Sequence, residues 1–289
     1  MTTSRTQAIT DMAIATVFFA GMSFCVKWAK PLPTAEIVFF RALIALVLCL
    51  IHLRLLGIAP LGTHRKLLFL RGFFGSCALI SFFWSIGHLP LATASVLQSL
   101  SPIFTAILGV ALLGERFRKA QLALFCVAIA GVVVMQGTGS GGAAGDITVA
   151  VAGAALSACA YTVIAKIGKR EHPLVIVLWF PLVTVPLISP ILYSVWVWPT
   201  PQQWAALFGI GICVQIAQVF MTRSFQTGPT SVVSLVTYLG LVWAGLGGAL
   251  LFDEPVTFGL LVGAVLIVIA VIGTSRLRGV APAAVKSDS

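Results

Sequence analysis

His88–Phe117 reads HLPLATASVLQSLSPIFTAILGVALLGERF, and 139 residues further on Thr227–Val256 reads TGPTSVVSLVTYLGLVWAGLGGALLFDEPV. Aligned without a gap, Pro90 falls on Pro229, Ser95 on Ser234 and Glu115 on Glu254. The register extends outward, with Lys27 on Lys166 and Lys30 on Lys169. Each copy is a long apolar run carrying a few polar residues and ended by a carboxylate. A bilayer core of about 30 Å takes about 20 helical residues, so each copy reads as one membrane crossing within a repeated unit.

The rest of the chain repeats that pattern. Of 289 residues, 59% are apolar and 9% charged, against about 25% charged in soluble domains. The apolar runs are continuous rather than alternating, which excludes an outer-membrane barrel. The fold class is therefore an all-α integral membrane protein. Charges, prolines and glycines delimit ten transmembrane helices near 10–29, 34–53, 67–86, 91–113, 120–136, 147–167, 174–194, 204–223, 229–251 and 257–275. Ten crossings use roughly 200 residues and leave no room for a soluble domain. The first run lacks a small-residue cleavage site, so it is read as a retained span.

The net charge of +10 sits in short clusters beside apolar runs, where topology accounts for it, so nucleic acid is not an expected partner. With the N-terminus inside, fourteen of the 18 basic residues flank cytoplasmic ends, against Lys27 and Lys30 outside; Arg41 and Arg71 fall within spans. Both termini are thus expected to be cytoplasmic. Trp196, Trp198, Trp204 and Tyr193 form the expected outer aromatic belt. Five spans per repeat is an odd number, so the second copy is inverted. The expected organisation is a first repeat over 1–136, a Gly/Ser/Ala linker over 137–146, a second, inverted repeat over 147–276 and a cytoplasmic tail over 277–289.

Polar residues recur at helical spacing. Ser95, Gln98, Ser99 and Pro102 share one face of span four, and Ser234, Thr237 and Tyr238 repeat it in span nine. Ser81, Trp84, Ser85 and His88 stripe span three, and Gln215, Gln218 and Thr222 stripe span eight. Unpaired polar groups are costly in lipid, so these faces point to a shared central cavity; interhelical hydrogen bonding is the competing explanation for any one serine. Spans five and ten carry almost no polar side chains. Gly259 and Gly263 sit at GxxxG spacing, suited to packing within the chain or to a homodimer.

Arg41 lies near the middle of span two, and no acidic residue shares its depth. Two readings stand: it binds an anionic group of a substrate through its fork of donors, or it is structural, held by backbone carbonyls, an aromatic ring or Glu36. Arg71 is expected to snorkel to the cytoplasmic interface. Intramembrane carboxylates or histidines are the usual proton relays; none is evident, which favours a facilitator or exchanger.

No HExxH, Walker loop, DxD pair or paired histidines occur, and the six cysteines all lie in apolar segments without ligand spacing. Hence no catalytic residue, metal site or cofactor is expected. A membrane enzyme or a channel is the less favoured class.

The segment from Gly21 through Lys27 and Pro33 to Arg41, and His88–Phe117 with Pro102 and the Gly114–Glu115 pair, resemble the EamA-like branch of the drug/metabolite transporter superfamily, ten-helix type, over nearly the whole chain. Ala20–Gly21 stands where that family has Trp–Gly, and Leu241 and Asp253–Glu254 replace the second copy's proline and Gly–Glu. The resemblance implies an inner-membrane bundle with helices one, three, four, six, eight and nine around a substrate cavity, and five and ten supporting it. Together with the stripes, it nominates Arg41, Trp84, Ser95, Gln98, Tyr161, Ser234, Thr237 and Tyr238 as substrate-binding. The expected activity is alternating-access transport of a small amphiphilic metabolite, an amino acid or related carboxylate, with an organic-cation or drug exporter as the alternative. The expected partners are that small-molecule substrate and the lipid bilayer of the inner membrane.

Overall fold

A computed structural model describes residues 2–89, 91–115, 119–136, 143–252 and 255–276. Pro90, Arg116, Arg118, the core of the linker, Asp253–Glu254 and the tail lie outside the described residues. The rest is helical throughout: α1 (Thr2–Ala29), α2 (Thr34–Leu55), α3 (Arg65–His88), α4 (Leu91–Gln98), α5 (Ser101–Leu113), α6 (Lys119–Gln136), α7 (Ala144–Ile167), α8 (Pro173–Val195), α9 (Pro201–Thr227), α10 (Thr230–Val236), α11 (Leu239–Phe252) and α12 (Phe258–Arg276), with one 3-10 turn at Gly168–Arg170. Among the described residues, nine helical segments are long and apolar enough to cross a membrane, counting α4–α5 and α10–α11 as one each, and the apolar helix Lys119–Met135 falls just short. This is a multi-pass membrane protein.

Shifted by 139 residues, the six helices of the first half fall on the six of the second, every end within three residues. Their packing exchanges in the same way. α1 lies on α9 as α7 lies on α3, α2 on α9 as α8 on α3, and α11 on α1 as α5 on α7; α2–α8 and α6–α12 pair with their own equivalents. The four pairs α1–α9, α3–α7, α2–α8 and α6–α12 are antiparallel. Ala8 meets Ser224 and Cys25 meets Gly209; Trp84 meets Asp146 and Ser81 meets Gly153; Cys49 donates to the Leu174 carbonyl while Glu36 accepts from Val197 N–H. In the last pair Leu124 meets Gly273 and Val134 meets Gly259. Gly131 and Gly263 press backbone to backbone, so a side chain at either would collide with the opposite helix, the close approach that small residues permit in membranes. The GxxxG spacing is thus used inside the chain.

Local signals set the helix ends. Proline opens α8 and α9, and Thr200 and Gln203 form a capping box before α9. Three prolines inside α8 do not break it; lost backbone bonds in membrane helices are made good by neighbouring helices. Gly114, left-handed at φ 68°, closes α5, and Glu115 N–H returns to the Gly109 carbonyl at 3.1 Å.

One expectation is corrected. Spans four and nine are not continuous helices; each breaks near its middle, at Ser99–Leu100 and at Thr237–Tyr238. In the first, Pro102 has no N–H to give to the Gln98 carbonyl. In the second, Leu241 keeps its N–H, yet the bonds shift to i→i−3, with Tyr238 N–H on Leu235, Gly240 on Thr237 and Leu241 on Tyr238 at 3.0–3.3 Å. The break is therefore a property of the repeat and not of its proline.

Candidate functional site

The two breaks meet. Tyr238 donates its phenol to the Ser99 carbonyl at 2.5 Å, and these residues are equivalents under the 139-residue shift. Beside them lies a cavity of about 230 Å3. Ser95 and Gln98 come from α4, Ser99, Ser101 and Pro102 from its break, Phe82 from α3, Tyr161 from α7, and Thr237, Tyr238 and Leu241 from the second break. Gln98 donates to Ser157 at 3.2 Å, and the Thr237 hydroxyl bonds back to the Ser234 carbonyl at 2.6 Å. Frayed helix centres offer carbonyls and hydroxyls to a ligand at membrane depth, which regular helices do not.

Of the eight residues nominated from the sequence, Ser95, Gln98, Tyr161, Thr237 and Tyr238 line this cavity; Arg41, Trp84 and Ser234 do not. Trp84 is two positions from Phe82, about 200° round the helix. It stands 50% exposed, stacked on His88 at 4.0 Å and donating to Asp146 at 3.2 Å. Ser234 is buried within α10, its hydroxyl without a hydrogen-bond partner.

Arg41 is enclosed by protein yet keeps accessible surface. Its guanidinium sits 5.8 Å from the Phe180 centroid. It makes no ion pair with Glu36, whose carboxylate takes the Val197 N–H at 3.2 Å. Arg71 corrects an expectation: it does not snorkel. It is 2% exposed, donates to Gln218 of α9 at 3.1 Å and lies 5.2 Å from the same Phe180 ring. The sequence held the signal, because Arg71, Gly75, Ala78 and Phe82 lie along one face of α3 and Phe82 lines the cavity.

Beyond the break, α10 is sealed. All seven of its residues are at most 1% exposed. The Gly114 turn aims Glu115 at its first residues, where the carboxylate accepts from Thr230 N–H at 2.7 Å and Ser231 N–H at 3.3 Å. Close by, Arg223 of α9 stands 3.8 Å from Asp11 of α1. The connector after α7 is latched to the α2–α3 loop by Glu171. Burial alone would raise its pKa, but donors from Thr63 and His64 outweigh that and hold it at about 2. Their distances to Glu171 are 2.6–3.0 Å. Burial and the nearby charges of His52 and Arg223 lower the pKa of His172. Among the described residues no three His, Cys, Asp or Glu gather as metal ligands.

Fold and site together define a multi-pass helical membrane protein with a cavity of mixed polar and apolar lining between two broken helices. The EamA-like transporter family model matches residues 7–136 and 146–276, and the chain belongs to that family, within the drug/metabolite transporter superfamily. The pseudopaline exporter CntI of Pseudomonas aeruginosa (strain UCBPP-PA14) is 32% identical over 268 residues, covering 92% of this chain and 94% of that one. Solute carrier family 35 member G1 of Mus musculus is 25% identical over 284 residues, covering 92% and 77%. A solved crystal structure, 20% identical, matches 93% of this chain and 96% of its own at a TM-score of 0.84, a likeness of fold. The relatives are transporters, and this chain is a membrane transporter rather than an enzyme.

Proposed function

We propose that the protein moves a small amphiphilic metabolite bearing a carboxylate, an amino acid or related compound, by alternating access, as a facilitator or exchanger. The observation that carries this reading is the cavity at the contact of the two repeat-equivalent breaks, sealed toward α10 and less tightly packed toward α4. Its volume, about 230 Å3, lies below the usual 300–1,000 Å3 of drug-sized pockets and suits a small solute.

The exchange of helix contacts between halves and the antiparallel course of the paired helices support two inverted five-span repeats, with α6 and α12 as the fifth and tenth spans. The distribution of basic residues supports cytoplasmic termini in an inner membrane. With that orientation α10 closes the cytoplasmic half and the cavity faces outward. Among the described residues no Asp, Glu or His lines the cavity, which supports transport without a proton relay there.

One observation favours the organic-cation reading: Phe82, Tyr161 and Tyr238 give the lining three aromatic faces, the surface that cations prefer. The missing carboxylate weighs against it. Counterflow into proteoliposomes, with labelled amino acids, carboxylates and organic cations in parallel, separates the two. Saturable uptake of carboxylate-bearing solutes without an imposed pH gradient is expected. Uptake of cations alone, or uptake of any solute only with a pH gradient beyond what its own ionisation explains, contradicts the proposal.

A further inference from the structure

Two arginines on different helices, Arg41 of α2 and Arg71 of α3, converge on the single ring of Phe180 of α8. Among the described residues nothing acidic answers them. The five carboxylates among the described residues are engaged elsewhere: Asp11 beside Arg223, Glu36 on Val197 N–H, Glu115 on α10, Asp146 on Trp84 and Glu171 on Thr63 and His64. Arg71 has one hydrogen-bond partner, Gln218, and its Nε has none. Arg41 makes no hydrogen bond among the described residues and is half-buried.

Like charges this close repel, and a shared aromatic face offsets that only in part. Buried cations without counter-charge are strongly disfavoured in a low-dielectric interior. The cluster is therefore electrostatically incomplete until an anion arrives. Each guanidinium presents a planar fork that matches one carboxylate through two parallel bonds, and the two forks stand on separate helices.

We infer that Arg41 and Arg71 form one anion subsite where α2 and α3 meet Phe180 of α8, and that the substrate carries at least two carboxylates, one for each guanidinium. This rests on the transporter reading above and narrows its substrate class from a carboxylate to a di- or tricarboxylate. Gln218, bonded to Arg71, is a positioning residue that holds that fork toward α9.

The test begins on the wild-type protein. Isothermal titration compares the dicarboxylates from malonate to adipate, and citrate, with the monomethyl esters of succinate and glutarate and with inorganic phosphate. Succinate or glutarate should bind at least tenfold tighter than its own monoester. Arg41→Gln and Arg71→Gln should each bring that ratio close to one, and Arg71→Lys, which keeps charge but not the fork, should fall between. Equal affinity for diacid and monoester, binding of phosphate alone, or no diacid binding overturns the inference without needing a variant that folds. Proteoliposome counterflow keeps the two claims apart. Diacid binding with the expected ratio but without counterflow leaves the subsite and removes the transporter reading. Counterflow of monocarboxylates or cations that Arg71→Gln does not alter leaves the transporter and removes the subsite.

Discussion

The α4 end and the α10 end of this molecule are built from the same sequence pattern, yet they are packed differently. α10 lies against α5, where Thr230 donates to the Thr105 carbonyl at 3.5 Å, and α7 reaches α9, where Tyr161 stacks on Phe225 with centroids 5.0 Å apart. Shifted by the repeat, these contacts become α4 on α11 and Met22 on Ile86. Among the described residues neither has comparable packing; most of α4 is half-buried and Ile86 is 37% exposed. The largest contacts, α1–α9 with α3–α7, α2–α9 with α3–α8 and α1–α11 with α5–α7, have their counterpart. Two ends of one plan, one closed and one open, are what an alternating-access protein shows when caught in a single state, because the other state needs only the exchange of the two arrangements. Sequence sets the plan, and packing sets which end is shut.

Single substitutions sharpen that contrast. The largest effect is expected at Phe225, 1% exposed: Phe225→Ala should cost about 3–5 kcal/mol, as for a buried aromatic. Its equivalent Ile86→Ala should stay within about 0.5 kcal/mol. Thermal unfolding of the two variants side by side checks this, and equal losses would remove the asymmetry. Next, Glu115→Ala leaves the N–H groups of Thr230 and Ser231 buried without an acceptor, at about 2 kcal/mol. It should loosen the α10 end, so a cysteine at Ser231 should react faster with a water-soluble thiol reagent in that variant than in the wild-type background.

Tyr238→Phe removes the bond between the two breaks while keeping the ring. About 1 kcal/mol is expected, with a change in the exchange rate between open states that counterflow would read. The last effect is confined to low pH, at the latch. Glu171 is held at about 2 against an ordinary 4.5, so the unfolded chain takes up its proton first. Its contribution is complete above the ordinary value and is lost as pH falls from about 5 toward 2. The melting temperature should drop over that range in wild type, and Glu171→Gln should flatten the drop while leaving the pH 6–8 plateau sloped as before.

Spans, repeat offset and the polar stripe of span four were legible because hydropathy and helical spacing report burial one element at a time. Ser95, Gln98, Thr237 and Tyr238 fell on the cavity for that reason. The one reading that failed, and the two nominated residues that lie outside this cavity, depend on relations between elements. Arg71 lies one turn inside span three, where snorkelling is the single-helix solution; only the approach of α8 and α9, bringing Phe180 and Gln218, makes an inward course available. Ser234 matches Ser95 in sequence but lies in the buried α10, a difference between the two ends that no local pattern encodes. Trp84 shares a stripe with Ser81 and Ser85 but points away from Phe82. The second break could not be read from Leu241, which lacks the proline that marks the first.

The most direct test of exchange between the two ends uses a cysteine-free background with two engineered pairs, Thr105→Cys with Thr230→Cys across the closed end, and the repeat-equivalent Ala244→Cys with Leu91→Cys across the open one. Each is treated with a short bifunctional thiol reagent in membranes. The proposed alternating access requires that both pairs cross-link and that either cross-link alone stop counterflow. Cross-linking of the first pair only, while counterflow continues through the linked protein, would contradict alternating closure of the two ends.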